Sequence, residues 1–305
     1  MAEITVAKVK ELRDKTGAGM MDAKKALVEN DGDMDNAVDW LRTKGLAKAA
    51  KKSGRTAAEG LVSVAVSDDA KEAVIVEVNA ETDFVSRNET FQDAVKSITQ
   101  KALESDVTTV EELGRLEVDG KPVNDLLTDL IATIGENMQL RRFERVSVDN
   151  GAIAQYVHNS VAGNLGRIGV LVALESGADK DTLLENGKKV AMHVAAAKPE
   201  ALTPEGLPED RVEREKNVLR EKAKETGKPA DIIEKMLEGQ IRKFYSEICL
   251  LNQTFVIDPD HTVEKFVTQI SDDTKIADYK LFVLGEGIEK EEENFAEEVK
   301  NAVNG

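Results

Sequence analysis

Apolar residues recur at helical spacing through the first forty-five or so positions. Val6, Val9 and Leu12 begin one helix, which ends before Gly17-Ala18-Gly19. Met20 through Asn30 make a second, with Met21, Ala23, Ala26 and Leu27 on its inner side. Asp31-Gly32 reads as a turn, and Asp33 as the cap of a third helix in which Met34, Ala37, Val38 and Leu41 follow helical spacing. Trp40 closes this small core, and Gly45 is expected to stop the helix.

From residue 61 the pattern changes. Leu61–Val66 and Ala73–Asn79 read as strands around the turn Ser67-Asp68-Asp69-Ala70-Lys71. Val74, Val76 and Val78 alternate against Ala73, Ile75 and Glu77, which predicts one well-buried face. Helices follow at 88–104 and 122–134. Gly135-Glu136-Asn137 breaks the second, and a strand is expected at 138–147. The order then recurs. Strands fit 152–158 and 167–174 around the turn 162–166, helices fit 180–197 and 262–271, and a strand fits 276–283. Strand-strand-helix-helix-strand twice implies two α+β halves, each with helices covering an antiparallel sheet. Residues 209–246 interrupt the second half as two amphipathic helices turned at Thr226-Gly227-Lys228-Pro229. Such a pair alone buries little, so it either self-associates or packs on its own core. A last helix is expected at 292–303.

The run Glu77-Val78-Asn79-Ala80-Glu81-Thr82-Asp83-Phe84-Val85-Ser86-Arg87 carries the most chemistry. A strand runs into a polar pair suited to a turn or a helix cap, which puts Phe84 at a strand-to-helix corner. Two readings stand. Phe84 is presented outward, or it is the hydrophobic staple of the next helix with Asp83 as its cap.

Charge divides the chain. Its formal net charge is −17, which argues against broad nucleic-acid binding. Residues 1–58 nevertheless hold 12 Lys+Arg against 9 Asp+Glu, so they form an electrostatically distinct module. The acid-free run 44–55 is either a surface for an anionic partner or a solvated linker helix. Cys249 is the lone cysteine and sits among apolar neighbours, an inert core residue in a reducing compartment. No secretory pattern and no span-length apolar run is seen, so no membrane role and a cytoplasmic location are expected. A P-loop run is absent, His158, His193 and His261 are not paired at ligand spacing, and no general acid/base pair stands out. His193, in an apolar run, reads as a satisfied core residue. The expectation is no metal, no cofactor and no catalytic residue.

Two stretches, Leu12 to Leu27 and Glu77 to Arg87, together resemble the bacterial elongation factor Ts family, the nucleotide-exchange partners of elongation factor Tu. Ile134-Gly135-Glu136-Asn137, Met192-His193-Val194-Ala195-Ala196, Phe255-Val256-Ile257 and Gly285-Glu286-Gly287 extend the resemblance over essentially the whole chain. Ala80 and Ile257 are minor departures from the family pattern. The resemblance implies an α+β protein with a three-helix UBA-like domain and linker at 1–55. A core of two subdomains would follow, at 56–148 and at 149–200 with 247–284. A dimerising helical hairpin at 201–246 and a C-terminal helical module at 285–305 complete it. It further implies a partner site made of Thr82, Asp83, Phe84 and Val85 beside Ile134 and Gly135, with Lys24, Lys10, His158, Val256 and Ile257 as further contacts. For His158 a local strand hydrogen bond is an equal alternative. GDP and Mg²⁺ would belong to the partner. The competing class is an adaptor that binds through Gly17-Ala18-Gly19-Met20 without exchange activity. An enzyme ranks third, for want of perturbed carboxylates in a pocket.

Overall fold

A computed structural model describes residues 4–225 and 229–289. The chain folds as two compact units. One holds the residues up to 62, 76–143 and those from 283, and the other holds 63–75 and 144–282.

The first unit opens with three helices, α1 (Val6–Thr16), α2 (Met20–Glu29) and α3 (Met34–Lys52). Thr5 and Asp33 cap α1 and α3 by accepting the backbone N–H three residues on. Val9, Leu12, Ala23, Ala26, Leu27 and Ala37 form their core, with Trp40 packed at its side. Two expectations fail here. Met21 faces solvent, because Ala23, Ala26 and Leu27 already fill the inner side of α2. Gly45 does not stop α3, which runs seven residues further to Lys52. Gly45 is buried against α7 (Val123–Ile134), where a Cβ would lie 3.2 Å from that of Ala132. Tertiary packing overrides the glycine's weak helix propensity.

β1 (Glu59–Val66), β2 (Glu72–Ala80) and β5 (Met138–Ser147) form a sheet in the order β5-β2-β1. Between β2 and β5 come α4 (Asp83–Ser86), α5 (Glu89–Leu103), α6 (Val110–Arg115), the small ladder of β3 (Glu117–Val118) and β4 (Lys121–Pro122), and α7. The alternation in β2 promised one buried face, yet every residue from Ala73 to Ala80 is buried. Glu77 is therefore a fully buried carboxylate. It accepts from Arg141 (3.0 Å), Arg142 (2.6 Å), Asn79 (2.9 Å) and the Gly285 N–H (2.9 Å). Burying a charge is tolerable only with such compensation.

In the second unit β6 (Gly151–His158) pairs antiparallel with β8 (Ile168–Glu175), from Gly151 opposite Glu175 to His158 opposite Ile168. β9 (Lys275–Val283) completes the order β6-β8-β9, and β7 (Leu165–Gly166) lies beside β1, where Val64 donates to the Asn164 carbonyl. The first sheet thus runs β5-β2-β1-β7, four strands against three in the second. α8 (Lys180–Ala197), capped by Asp179, covers β6 and β8. Its Gly187 allows the close approach, since a Cβ there would stand 2.6 Å from that of Ala154. α9 (Glu209–Lys224) and α10 (Ala230–Ile248) are the expected helical pair, and α11 (Val263–Thr268) follows. The pair packs on its own base through Ala201, Leu207, Phe244 and Cys249. Further out Val218 on α9 and Ile232 on α10 are exposed. Cys249 is buried, and that burial pushes its thiol up to about 11, so it is inert. The turn residues 226–228 and the helix expected at 292–303 lie outside the described residues.

Candidate functional site

Phe84 is the natural starting point. It lies on α4, a single turn that starts right after β2, and it is 74% exposed. That settles the two readings. A staple would be buried, and Asp83 caps nothing: Thr82 is the N-cap of α4, and Asn88 caps α5 by accepting from Phe91 (3.1 Å). Asp83 instead makes an exposed pair with Arg87 (3.6 Å). Val85, on the opposite side of the turn, is buried.

The turn is pinned at both ends. After it, Ser86 donates to the Asp83 carbonyl (2.6 Å) and Gln92 to the Ser86 carbonyl (2.8 Å). Before it, Thr82 gives both its N–H (2.9 Å) and its hydroxyl (2.7 Å) to the carboxylate of Glu136. Glu81 answers in the opposite direction, accepting the N–H of Asn137 at 2.5 Å. Two adjacent residues of one loop are thus cross-tied to two adjacent residues of another. Charge-assisted bonds of this kind are roughly twice as strong as neutral ones. The second loop exists because Gly135 ends α7 in the left-handed region (φ 91°), its N–H returning to the Ile131 carbonyl. Of Ile134 and Gly135, expected beside Phe84's turn, Ile134 ends α7 half-buried and Gly135 opens this cross-tied loop.

The other candidate residues are not gathered here by any contact. Lys10 and Lys24 are exposed on α1 and α2 of the first unit. Val256, Ile257 and His158 belong to the second unit. His158 ends β6 exposed, with Nδ1 3.0 Å from the Tyr156 hydroxyl, so the local hydrogen bond expected as its alternative role is present.

Val256 and Ile257 are 58% and 48% exposed, and His193, buried with both ring nitrogens bonded as a satisfied core histidine should be, holds the Val256 backbone. The Val256 N–H donates to His193 Nδ1 (3.2 Å). Nδ1 therefore carries a lone pair, and the ring proton sits on Nε2, which donates to Gln253 Oε1 (2.8 Å). Gln253 is held in turn by donating to the Glu247 carbonyl (2.9 Å). Burial pushes the His193 pKa down, against an opposing pull from Gln253. Phe255 stacks between His193 and Phe266, with centroids 5.6 and 4.3 Å away.

Sequence reasoning gave Glu81 no role at the site, and Glu136 and Asn137 only that of breaking a helix. The signal was there: Glu81 stands in the run 77–87 beside Thr82, and Glu136 and Asn137 stand in the run 134–137 after Ile134 and Gly135. Among the described residues no helix is long and apolar enough to cross a membrane, and no cluster of His, Cys, Asp or Glu is placed to hold a metal ion.

The family model described as Elongation factor TS matches residues 81–286. The chain is 53% identical over 311 positions to elongation factor Ts of Rhizobium etli, with all of both chains covered. It is 54% identical over 311 positions to that of Parvibaculum lavamentivorans, again over all of both chains. It is 52% identical over 305 positions to that of Caulobacter vibrioides, covering 98% of each.

Proposed function

Because this chain belongs to the elongation factor Ts family and is a translation elongation factor, we propose that it acts as the guanine nucleotide exchange factor of elongation factor Tu. In this reading it binds the GDP-bound partner in the cytoplasm, disturbs the partner's Mg²⁺ and phosphate site, and speeds GDP release so that GTP can enter. It contributes no cofactor and no catalytic residue of its own. The observation that carries the proposal is the pinned, solvent-facing Phe84.

A rigid aromatic on a braced turn pays little ordering cost on docking, so its contact energy is free to displace elements of the partner. Mg²⁺ neutralises phosphate charge, and shifting the groups that hold it weakens nucleotide binding sharply. The coupling is reciprocal: a factor that weakens GDP binding is itself weakened by GDP. Each tenfold in release takes only ~1.4 kcal/mol off the barrier.

Thr82, Asp83 and Val85 belong to the wedge turn, with Ile134 and Gly135 behind it. Lys10 and Lys24 on the UBA-like helices serve as a second clamp. Val256, Ile257 and His158 add contacts from the second unit. The pair α9–α10, with Val218 and Ile232 exposed, is assigned to self-association.

The test is stopped-flow release of a fluorescent GDP from elongation factor Tu. Acceleration that rises with the concentration of this protein is the expected result. Binding without acceleration would leave an adaptor and overturn the exchange role.

A further inference from the structure

The basic run 44–55 has no place in that account. Two readings of it stood open, a surface for an anionic partner or a solvated linker. The structure makes it the last turns of α3 and the exit from them. Its end does not simply face solvent. Half-buried Lys52 donates through Nζ to the Gly135 carbonyl. The Arg55 carbonyl accepts from the side-chain amide of Asn137 (2.7 Å), and the Arg55 guanidinium stands 3.4 Å from Glu81. In that last pair the Arg55 side chain is 56% exposed and long in reach, so the pair contributes modestly even though Glu81 is largely buried. Asn137 matters more, because it is only 1% exposed and joins three segments. Its N–H goes to Glu81, its side chain goes to the end of α3, and its neighbour Glu136 holds Thr82. Further back Arg42 meets Asp125 on α7 (3.4 Å), and Gly45 packs on Ala132.

We propose that Asn137 and Lys52 are positioning residues for the Phe84 turn, and that the basic end of α3 is its internal brace. The proposal rests on reading Phe84 as the exchange wedge. Its logic is one of population. Docking through the other contacts does not require the turn to be in one conformation, but dislodging Mg²⁺-site elements does. Freeing the turn lowers the fraction of complexes that are productive. The maximum release rate then falls, while the concentration of factor giving half that rate changes little.

Two variants remove a donor while keeping bulk. Asn137→Asp is isosteric but turns a carboxylate oxygen onto the Arg55 carbonyl and adds a charge beside Glu81, a severe break of the brace, whereas Lys52→Met keeps the apolar stem and removes only the donor. Lys51→Met removes the same charge from an exposed neighbour outside the junction. GDP release from elongation factor Tu is followed over a range of factor concentrations at two salt concentrations. We expect Asn137→Asp and Lys52→Met to lower the maximum rate about fivefold or more, with half-saturation within about twofold. Lys52→Arg should recover most of the loss, and Lys51→Met should match the parent.

An unchanged maximum rate in Lys52→Met, with Phe84→Ala impaired, overturns the brace and leaves the exchange reading intact. Equal, salt-dependent rises in half-saturation for Lys51→Met and Lys52→Met overturn it in favour of an anionic partner surface. If Asn137→Asp fails to fold, Lys52→Met decides alone. A parent protein that does not speed release refutes the exchange role and the brace with it.

Discussion

Replacing Phe84 by alanine separates a contact made with a partner from one made within the fold. With 74% of the residue already in water, truncation removes little buried surface. The expected change in this protein's own stability is about 0.5 kcal/mol or less, a shift in Tm of about 2 °C or less. The effect on exchange is set by the surface still available to bury. A phenylalanine buries roughly 200 Å², so about 150 Å² remains to be covered on docking. At ~25 cal/mol per Å² that is a ceiling of ~4 kcal/mol, or about a thousandfold in rate. A loss of ten- to a thousandfold in accelerated GDP release, at near-parental Tm, is the expected pair of results. Stopped-flow fluorescence and a thermal melt on the same preparation read both. A Tm lowered by several degrees with release close to the parent would refute the reasoning, because Phe84 would then be a structural residue that merely looks exposed.

Three further outcomes follow from the geometry. Glu77→Ala removes the buried acceptor shared by Arg141, Arg142, Asn79 and the Gly285 N–H, while both arginines keep contacts near 283–286, so it should cost ~3 kcal/mol in a denaturant titration; a midpoint near the parent's would show that the charge network is not needed. Gly187→Ala should gain ~1 kcal/mol from helix propensity and lose ~1–3 kcal/mol from a methyl 2.6 Å from Ala154, so the variant should melt lower, and a higher Tm would mean that α8 moves away freely. His193 has its folded pKa pushed below the unfolded 6.5, so its stabilising effect is full above 6.5 and is lost as pH falls below it, when the unfolded chain binds the proton first. Melts from about pH 7.5 to 5.5 should therefore fall more steeply for the parent than for His193→Gln, and parallel slopes would exclude the histidine as the cause.

Helices with a long apolar period were legible to within a residue or two, as α8 and α7 show. α6 and the ladder of β3 and β4 were not, because six residues and two pairs of residues carry too little period to read. Gly45 and Glu77 misled for a shared reason. Local propensity and alternation describe a residue's own element, whereas a facing Ala132 or two distant arginines decide its fate. The same divide runs through the site. Phe84 was found because its motif is continuous. Its supports were missed because Thr82 and Glu136 lie 54 residues apart, and Asn137 and Arg55 lie 82 apart. Periodicity holds no record of such pairings.

The donors around Glu77 are also ordered in time. Arg141 follows it by 64 residues in the sequence, and Gly285 follows by 208. At ~5–20 residues per second, a ribosome delivers the first arginine after about 3–13 s and the glycine N–H after about 10–40 s. Over the 208 residues between them, then, the nascent chain carries this carboxylate without its last ligand. The first unit closes only when residues 283–286 have been made, about 200 residues after Glu77 itself.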